Sequence, residues 1–309
     1  MIVVMGEALV DLVVAGDTVT AAPGGAPYNV ARGCARLGAP TALLTTLSSD
    51  GFGVRLAAGL AEAGVAVGLL QRTDRPTTLA VAEVDAAGVA GYCFYIEGTS
   101  ASLLTPGPLP EPTDVLVTGG LGLVLEPTAT ALESIVMAAD RDVLVLVDVN
   151  CRPAAIGDRG AYVARLSRIL SRADVVKVSD EDLAYLHPGV PPELAAARLV
   201  TIGEASAGVR AVLVTTGGTA TTIVTALGSS TVPVDAVPVV DTIGAGDAFT
   251  AGFVTWWRDG GRGRAALTAE GALDVLAAAV RAAHQVAAVV VGRRGADPPR
   301  RADLPVDWS

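Results

Sequence analysis

The sequence contains the segment Val239-Val240-Asp241-Thr242-Ile243-Gly244-Ala245-Gly246-Asp247-Ala248-Phe249-Thr250-Ala251-Gly252. The Val239–Val240 pair is expected to end a strand, and a Gly-Ala-Gly turn then leads into an apolar helix that runs to Trp257. A helix start offers N–H groups without intrahelical partners and the positive end of the macrodipole. Small residues let a phosphate approach that backbone. The segment therefore predicts an anion site at the junction of a strand and a helix.

Asp247 lies at the start of this helix, where it would repel a resting phosphate. A carboxylate in that place can take a proton from a nucleophile that attacks the phosphate. The alternative is an ordinary N-cap aspartate after a glycine turn. The first interpretation makes Asp247 a candidate general base.

The composition indicates a folded protein with a large core. Of 309 residues, 51% are hydrophobic and 17% are charged, and the net charge is −10. This length suits one large α/β domain or two smaller ones. Without a basic patch, nucleic acid and anionic membranes are poor partners. Any phosphate site must therefore draw its positive potential from backbone amides, a few arginines and a metal.

Lys177 is the only lysine in the sequence. A Walker A loop needs lysine before Ser or Thr, and protein kinases need a lysine on an early strand. Both classes of phosphate-binding protein are thereby excluded. A dinucleotide-binding turn is excluded as well, because the segment after the first apolar run lacks the glycines that a pyrophosphate requires.

The cysteines are odd in number, widely spaced and without CxxC pairs: Cys34, Cys93 and Cys151. This pattern is typical of small buried residues in a reducing compartment. Glu7 and Asp11 interrupt the apolar start, which argues against a signal peptide. The uncharged stretch Ala211–Val234 contains Gly217-Gly218 and predicts strand–turn–strand, not a membrane span. We expect a cytoplasmic protein.

Apolar runs alternate with amphipathic or alanine-rich stretches along the chain. Strands are predicted at Ile2–Met5, Thr41–Leu44, Asp114–Thr118, Val143–Asp148, Val175–Lys177 and Ala211–Thr215. Helices are predicted at Pro27–Leu37, Gly51–Ala63, Pro127–Ala139, Ala161–Arg172, Asp180–Leu186, Pro192–Leu199, Asp247–Trp257 and Thr268–Ala288. This alternation indicates an α/β fold, with a mainly parallel sheet covered by helices on both faces.

Two segments, Leu9–Ala21 and Thr77–Ile96, predict β-hairpins that no crossover helix follows directly. The second is expected to turn at Asp85-Ala86-Ala87-Gly88. Together they can form a small sheet beside the α/β core. We expect residues 9–21 and 77–99 to act as a lid over an active site, within a single domain of residues 1–309.

Five blocks, in order along the chain, resemble the signatures of the ribokinase-like (PfkB-type) carbohydrate kinases. They are Pro23–Ala31, Ser48–Gly53, Asp148–Pro153, Lys177–Leu183 and Asp241–Gly252. The resemblance extends from Gly6 to about Pro305 and is nearest to the fructokinase and 2-keto-3-deoxygluconate kinase branch. It implies a three-layer α/β/α core with a small β-sheet lid, and a kinase that uses ATP and Mg²⁺.

The resemblance implies that Asp247 is the base for a sugar hydroxyl, and that the amides of Gly244, Ala245 and Gly246 form the anion hole. It assigns sugar binding to a second group of residues: Asp11, Gly24, Gly25, Asn29 and Arg152. Arg152 can contact a phosphate of ATP or of a sugar, or it can be a surface ion pair.

The resemblance places a third group near the nucleotide: Thr215, Gly217, Ser179, Asp182 and His284. It places Asp241, with the carbonyl of Ile243, at a possible K⁺ site. For the turn residues and His284, a purely structural role is the alternative. Among the positions that depart from the family pattern, Asp182 stands where glutamate is usual, Ile96 where many relatives have arginine, and His284 where asparagine is frequent.

The sequence thus predicts an ATP-dependent kinase that phosphorylates a hydroxyl of a small neutral sugar, with fructose the leading candidate. Ile96 in place of arginine argues against an acidic substrate. 2-Keto-3-deoxygluconate, ribose and nucleosides remain alternatives, as does a non-catalytic protein that binds sugar or nucleotide. A homodimer formed through the edge of the lid sheet is also expected.

Overall fold

The computed structural model describes residues 1–84, 90–200, 202, 208–306 and 308. Its strands are β1 Ile2–Met5, β2 Leu9–Ala15, β3 Thr18–Gly24, β4 Thr41–Ser48, β5 Leu70–Thr73, β6 Leu79–Val84, β7 Ala90–Tyr95, β8 Val115–Gly119, β9 Leu144–Asp148, β10 Val175–Ser179, β11 Ala211–Thr215, β12 Ala220–Thr225 and β13 Gly228–Pro233. Its α-helices are α1 Ala26–Arg36, α2 Gly51–Ala63, α3 Thr128–Ala138, α4 Arg159–Leu170, α5 Asp180–Leu186, α6 Pro192–Val200, α7 Ala245–Asp259 and α8 Ala272–Val291.

The large sheet has the strand order β13-β12-β11-β10-β9-β8-β1-β4-β5. Strands from β11 to β5 pair in parallel, and β12 and β13 add an antiparallel edge. The parallel part confirms the predicted α/β class. The segment Ala211–Val234 forms three antiparallel strands, one more than the pattern predicts.

In the described part of the chain, four helices cover each face of the large sheet. Ile2 and Val4 of β1 face a core shared with α1, α2, α7 and α8. Val3 and Met5 face a second core shared with α3, α4, α5 and α6. Because successive side chains point to opposite faces, only a strand that is apolar at every position can serve both cores. The continuous valine and leucine runs therefore form the middle layer of an α/β/α sandwich.

A second, smaller sheet has the order β3-β2-β6-β7. Its two hairpins confirm the predicted pairs, with β2 parallel to β6 where they meet. The expected turn at Asp85-Ala86-Ala87-Gly88 lies outside the described residues. The first hairpin leads into the predicted helix after it, because Gly25 (φ 100°) is the N-cap of α1. This short connection fixes the small sheet beside the large one.

Three predicted boundaries around the C-terminal signature are wrong. Val239 and Val240 are in no strand and are 63% and 59% exposed, and the N–H of Val240 donates to Val291 O at the end of α8 (2.7 Å). Helix α7 begins at Ala245, after Gly244 as N-cap, so Asp247 lies within its first turn and is not the N-cap. Helix α8 begins at Ala272, four residues later than predicted.

One helix among the described residues, α8, has the length and hydropathy of a membrane span. Its face containing Leu276, Val280, Ala283 and Val286 is buried in the core that includes α7. The apolar character of α8 is therefore accounted for by packing within the fold.

Candidate active site

A cavity of about 430 Å³ lies between the small sheet, the carboxyl edge of the large sheet and the start of α7. Ligands gather at this edge in open α/β sheets. The polar residues of the cavity wall are Glu7, Asp11, Asn29, Arg152 and Asp247. The small sheet contributes an apolar side formed by Leu9, Val13, Ala80, Ala82 and Phe94.

Asp247 lies at the floor of this cavity. Its Oδ2 accepts a hydrogen bond from Asn29 Nδ2 at 2.8 Å, and Oδ1 has no donor among the described residues. The pKa of Asp247 is raised to about 6, chiefly by burial and also by the charge of Asp148. The hydrogen bond from Asn29 and the positive charges of Lys177 and Arg152 act in the opposite direction. One oxygen is thus held in place, and the other is open to accept a proton.

The backbone N–H groups beside Asp247 are largely unpaired. Ala245 N–H donates to Thr242 O at 3.2 Å. Within the described part of the chain, the N–H groups of Gly244, Gly246 and Asp247 donate to no acceptor. Gly244 has a φ of 78°, and a Cβ there would lie 2.6 Å from that of Ala296, so only glycine fits this N-cap. The turn can therefore present several amides to an anion.

Asp11 and Gly25 line one wall of the cavity, and Gly24 is buried against Asp11. Leu9 pairs with Gly24 and Asp11 with Ala22 across β2 and β3, which places the Asp11 carboxylate directly against Gly24. A Cβ on Gly24 would overlap Oδ2 of Asp11. The pKa of Asp11 is raised to about 6, chiefly by burial and also by the charge of Asp247, whereas the charge of Arg152 acts to lower it.

Glu7 is a cavity residue that the sequence analysis did not select. It is 3% exposed, and Oε2 accepts a hydrogen bond from Gly122 N at 2.8 Å. Burial raises the pKa of Glu7 to about 7, although the backbone N–H donors and the charge of Arg152 act to lower it. A carboxylate directly after a buried strand was the available signal, because such a residue falls at the carboxyl edge of the sheet.

Arg152 is held by its own loop. Its Nη1 donates to Asn150 Oδ1 at 2.6 Å and to the carbonyl oxygens of Asn150 and Cys151 at 3.2 and 3.0 Å. Asn150 has a φ of 41°, the left-handed conformation that asparagine tolerates better than most residues. These bonds leave Nε and Nη2 of Arg152 without an acceptor among the described residues. Arg152 is in the cavity wall and forms no ion pair with another described residue.

Asp241 binds two backbone N–H groups. Its Oδ1 accepts from Ile243 N at 3.0 Å, and its Oδ2 accepts from Gly295 N at 2.8 Å. It thereby joins the loop before α7 to the loop after α8. The carboxylate keeps further lone pairs, so an oxygen-binding cation remains compatible with this position.

Ser179 and Asp182 form the capping box of α5. Asp182 Oδ2 accepts from Ser179 N at 2.9 Å, and its Oδ1 accepts from Cys151 N at 2.7 Å. The shorter aspartate arm thus ties the loop of Arg152 to α5, and both carboxylate oxygens have a donor.

The remaining predicted residues lie toward β12 and α8. Thr215 Oγ1 donates to Val178 O at 3.3 Å, and Gly217 (φ 54°) is in the turn between β11 and β12. His284 Nε2 lies 2.8 Å from Thr221 Oγ1, and burial lowers its pKa. His284 lines a separate cleft of about 340 Å³ with Pro233, Asp235 and Arg281. The structure therefore places Asp11, Gly25, Asn29 and Arg152 in one cavity and His284 in a separate cleft.

The protein-family comparison decides the family. The model of the pfkB family carbohydrate kinases matches residues 1–303. The chain belongs to this family. A curated relative, a fructokinase of Rhizobium leguminosarum bv. trifolii, is 34% identical over 263 residues, which cover 82% of this chain and 78% of the relative. This confirms the predicted class of enzyme, a sugar kinase.

Two solved kinase structures share the fold. Fructokinase of Xylella fastidiosa with bound ATP superposes with a TM-score of 0.86 at 27% identity, covering 98% of this chain and 94% of that one. Aminoimidazole riboside kinase of Salmonella enterica, complexed with aminoimidazole riboside and an ATP analog, gives 0.79 at 27% identity and covers 96% and 94%. The ribokinase-like fold is thus confirmed.

Proposed function

We propose that this kinase transfers the γ-phosphoryl group of ATP to a hydroxyl of fructose. The observation that carries the proposal is the Asp247 carboxylate at the floor of the cavity, one oxygen held by Asn29 and the other open, beside unpaired amides at the start of α7. The fructokinase relatives support fructose as the acceptor. ATP is supported by the ATP complex of the fructokinase that shares this fold.

In this mechanism the sugar is bound between Asp11 and Asn29. Asn29 Oδ1 is buried and receives no hydrogen bond from the described residues, so a sugar hydroxyl can supply one. Asp247 Oδ1 takes the proton of the reacting hydroxyl while the hydroxyl oxygen bonds to the γ-phosphorus of ATP. The bond from this phosphorus to the bridging oxygen breaks, and ADP leaves. The amides of Gly244, Gly246 and Asp247 receive the charge that develops on the transferred group. Ala245, the first residue of α7, remains part of the proposed anion hole, although its N–H also donates to Thr242 O.

Mg²⁺ supplies charge neutralisation of the ATP phosphates when bound. Among the described residues, no group of three His, Cys, Asp or Glu side chains could hold a metal ion. Mg²⁺ in phosphoryl-transfer enzymes is usually held by substrate phosphates, waters and one or two carboxylates, so this chain fits that arrangement. Thr215, Gly217, Ser179, Asp182 and His284 are proposed as the nucleotide side of the site, and Asp241 with Ile243 as the K⁺ position.

The charge of the cavity favours a neutral acceptor. Three carboxyl groups with raised pKa values, Glu7, Asp11 and Asp247, face one guanidinium, Arg152. A neutral polyol donates hydrogen bonds to carboxylates, whereas an acidic sugar is repelled by them. Ile96 packs with the apolar cluster of Leu9 and Leu121 and adds no cation.

We propose the small sheet as a lid, because Leu9, Val13, Ala80, Ala82 and Phe94 cover the cavity opposite Asp247. Its edge strand β7 is the proposed dimer contact, with Tyr95 59% exposed. A monomer mass in solution at micromolar concentration would contradict the dimer. A cytoplasmic location also stays a prediction, consistent with the three unpaired cysteines.

The test is release of ADP from MgATP in the presence of fructose, ribose, 2-keto-3-deoxygluconate, adenosine or sugar phosphates, with and without K⁺. We expect the highest kcat/KM with fructose. A preference for 2-keto-3-deoxygluconate would show that Arg152 outweighs the carboxylates, and a preference for adenosine would assign the apolar wall to a base. ATP binding without turnover on any acceptor would contradict the proposal.

A further inference from the structure

A buried ion pair lies beneath the start of α7. Lys177 Nζ donates to both carboxylate oxygens of Asp148, at 3.0 and 2.9 Å. The two residues are 6% and 4% exposed. They meet because β9 and β10 are parallel neighbours with Lys177 in register with Asp148. The mechanism above uses neither residue.

The pair contacts the turn that carries the candidate base. Thr250, one helical turn beyond Gly246, has its hydroxyl 2.8 Å from Asp148 Oδ2 and 3.1 Å from Gly246 O, either of which can accept its proton. A Cβ on Gly246 would lie 3.3 Å from Lys177 Nζ. The ammonium group therefore lies directly under the backbone that presents the anion-hole amides.

Stability does not explain this pair. Removing two charges from water costs more than their attraction usually returns, and well-packed apolar residues in their place are often neutral or stabilising. The neighbouring residues Val147, Val176 and Val178 are apolar, so the strands provide a suitable setting for such a replacement. A buried pair at this place is better explained by an effect on the turn above it.

We propose that Lys177 and Asp148 are positioning residues for phosphoryl transfer, which hold the first turn of α7 and balance the electrostatic potential at Asp247. This inference rests on the proposed function, since it assigns the pair a role in the same site. The two charges act on the base in opposite directions: Asp148 raises the pKa of Asp247 and Lys177 lowers it.

The other groups that face Asp247 come from the remaining elements around the cavity. They are Asn29 from α1, Arg152 from the loop after β9, Glu7 from the loop after β1 and Asp11 from β2. None of them is altered when the buried pair is changed. A change in the pair can therefore be measured against a constant background.

The test is the titration of the Asp247 carboxyl by ¹³C NMR in protein labelled at aspartate, with the signal assigned by its loss in Asp247→Asn. Lys177→Met leaves the Asp148 charge unpaired, so we expect the Asp247 pKa to rise by about one pH unit. Asp148→Asn leaves the ammonium group unpaired, so we expect a fall of about one unit. The double variant is expected to titrate within a few tenths of a unit of wild type.

Shifts in the same direction in the two single variants, or no shift in either, would overturn the inference. If the pair had only a structural role, the single variants would have lower melting temperatures, but the Asp247 pKa would not shift in opposite directions in the two. If the single variants do not fold, the double variant decides, because it carries no unpaired charge; a shift of a full unit there would overturn the proposal. Fructose-dependent ADP release by the wild-type protein is measured separately, so failure of the proposed function and failure of this inference are distinguishable.

Discussion

The amide of Asn29 on α1 donates to the carboxylate of Asp247 on α7 at 2.8 Å, although 218 residues separate them in the chain. The bond uses Nδ2, and in the described part of the chain nothing donates to the buried Oδ1 of Asn29. Asn29 can thus orient the candidate base with one end of its amide and accept a sugar hydroxyl with the other. In the proposed mechanism, this one side chain therefore couples sugar binding to proton transfer.

Asn29→Ala should therefore affect both sugar binding and proton transfer. Loss of the hydrogen bond, which lowers the pKa of Asp247, should move the acidic limb of kcat/KM upward by about one pH unit. Loss of Oδ1 should raise the sugar KM about tenfold, with the ATP KM changed about twofold at most. Steady-state kinetics between pH 5 and 8 provide the measurement. Equal effects on the two KM values would remove Asn29 from the sugar site.

Asp247→Asn should lower kcat about 10²- to 10⁴-fold, because a general base contributes about that much. ATP affinity, measured by calorimetry, should stay within a few-fold of wild type. Asp274→Asn is a matched control, because Asp274 occupies the third position of α8 as Asp247 does of α7 but is exposed away from the cavity. Near-normal turnover in Asp247→Asn would exclude Asp247 as the base.

The sequence was sufficient to predict what depends on local pattern. Continuous apolar runs identified most strands of the large sheet, and the Gly-Ala-Gly turn identified the start of α7 to within three residues. The edge strand Leu70–Thr73 was not predicted, because Gln71 and Arg72 interrupt its apolar pattern. Val239 and Val240 favour a strand locally, but the structure gives them no pairing strand, and Val240 bonds to the end of α8 instead.

Relationships across the chain could not be predicted from local pattern. The bond from Asn29 to Asp247 depends on how α1 packs beside α7, and the contact of Lys177 with Asp148 depends on strand register. Both follow from tertiary packing. The resemblance supplied the candidate residues, whereas their partners required the structure. Glu7 was missed for the same reason, since its burial beside Gly122 is set by the loop after β8.

Glu7→Gln should stabilise the protein at alkaline pH. The pKa of Glu7 is raised from 4.5 to about 7, so the folded state binds its proton more tightly than the unfolded state does. Its contribution to stability is complete below pH 4.5 and is lost as the pH rises through 7. The charged form costs about 3 kcal/mol at pH 8, which glutamine avoids. Urea denaturation at pH 8 should show most of this gain, and denaturation at pH 4.5 should show little; the same gain at both pH values would contradict the shifted pKa.

Gly24→Ala should impair sugar binding without unfolding the protein. The new Cβ would overlap Oδ2 of Asp11, and the aspartate can yield by rotating its side chain into the cavity. The carboxylate would then leave the position in which it can receive sugar hydroxyls. We expect the sugar KM to rise about tenfold or more, which corresponds to the loss of a hydrogen bond to a charged group. Gly68→Ala is the control, because a Cβ there meets no atom within 4 Å. An unchanged sugar KM in Gly24→Ala, with normal turnover, would show that Asp11 does not bind the acceptor.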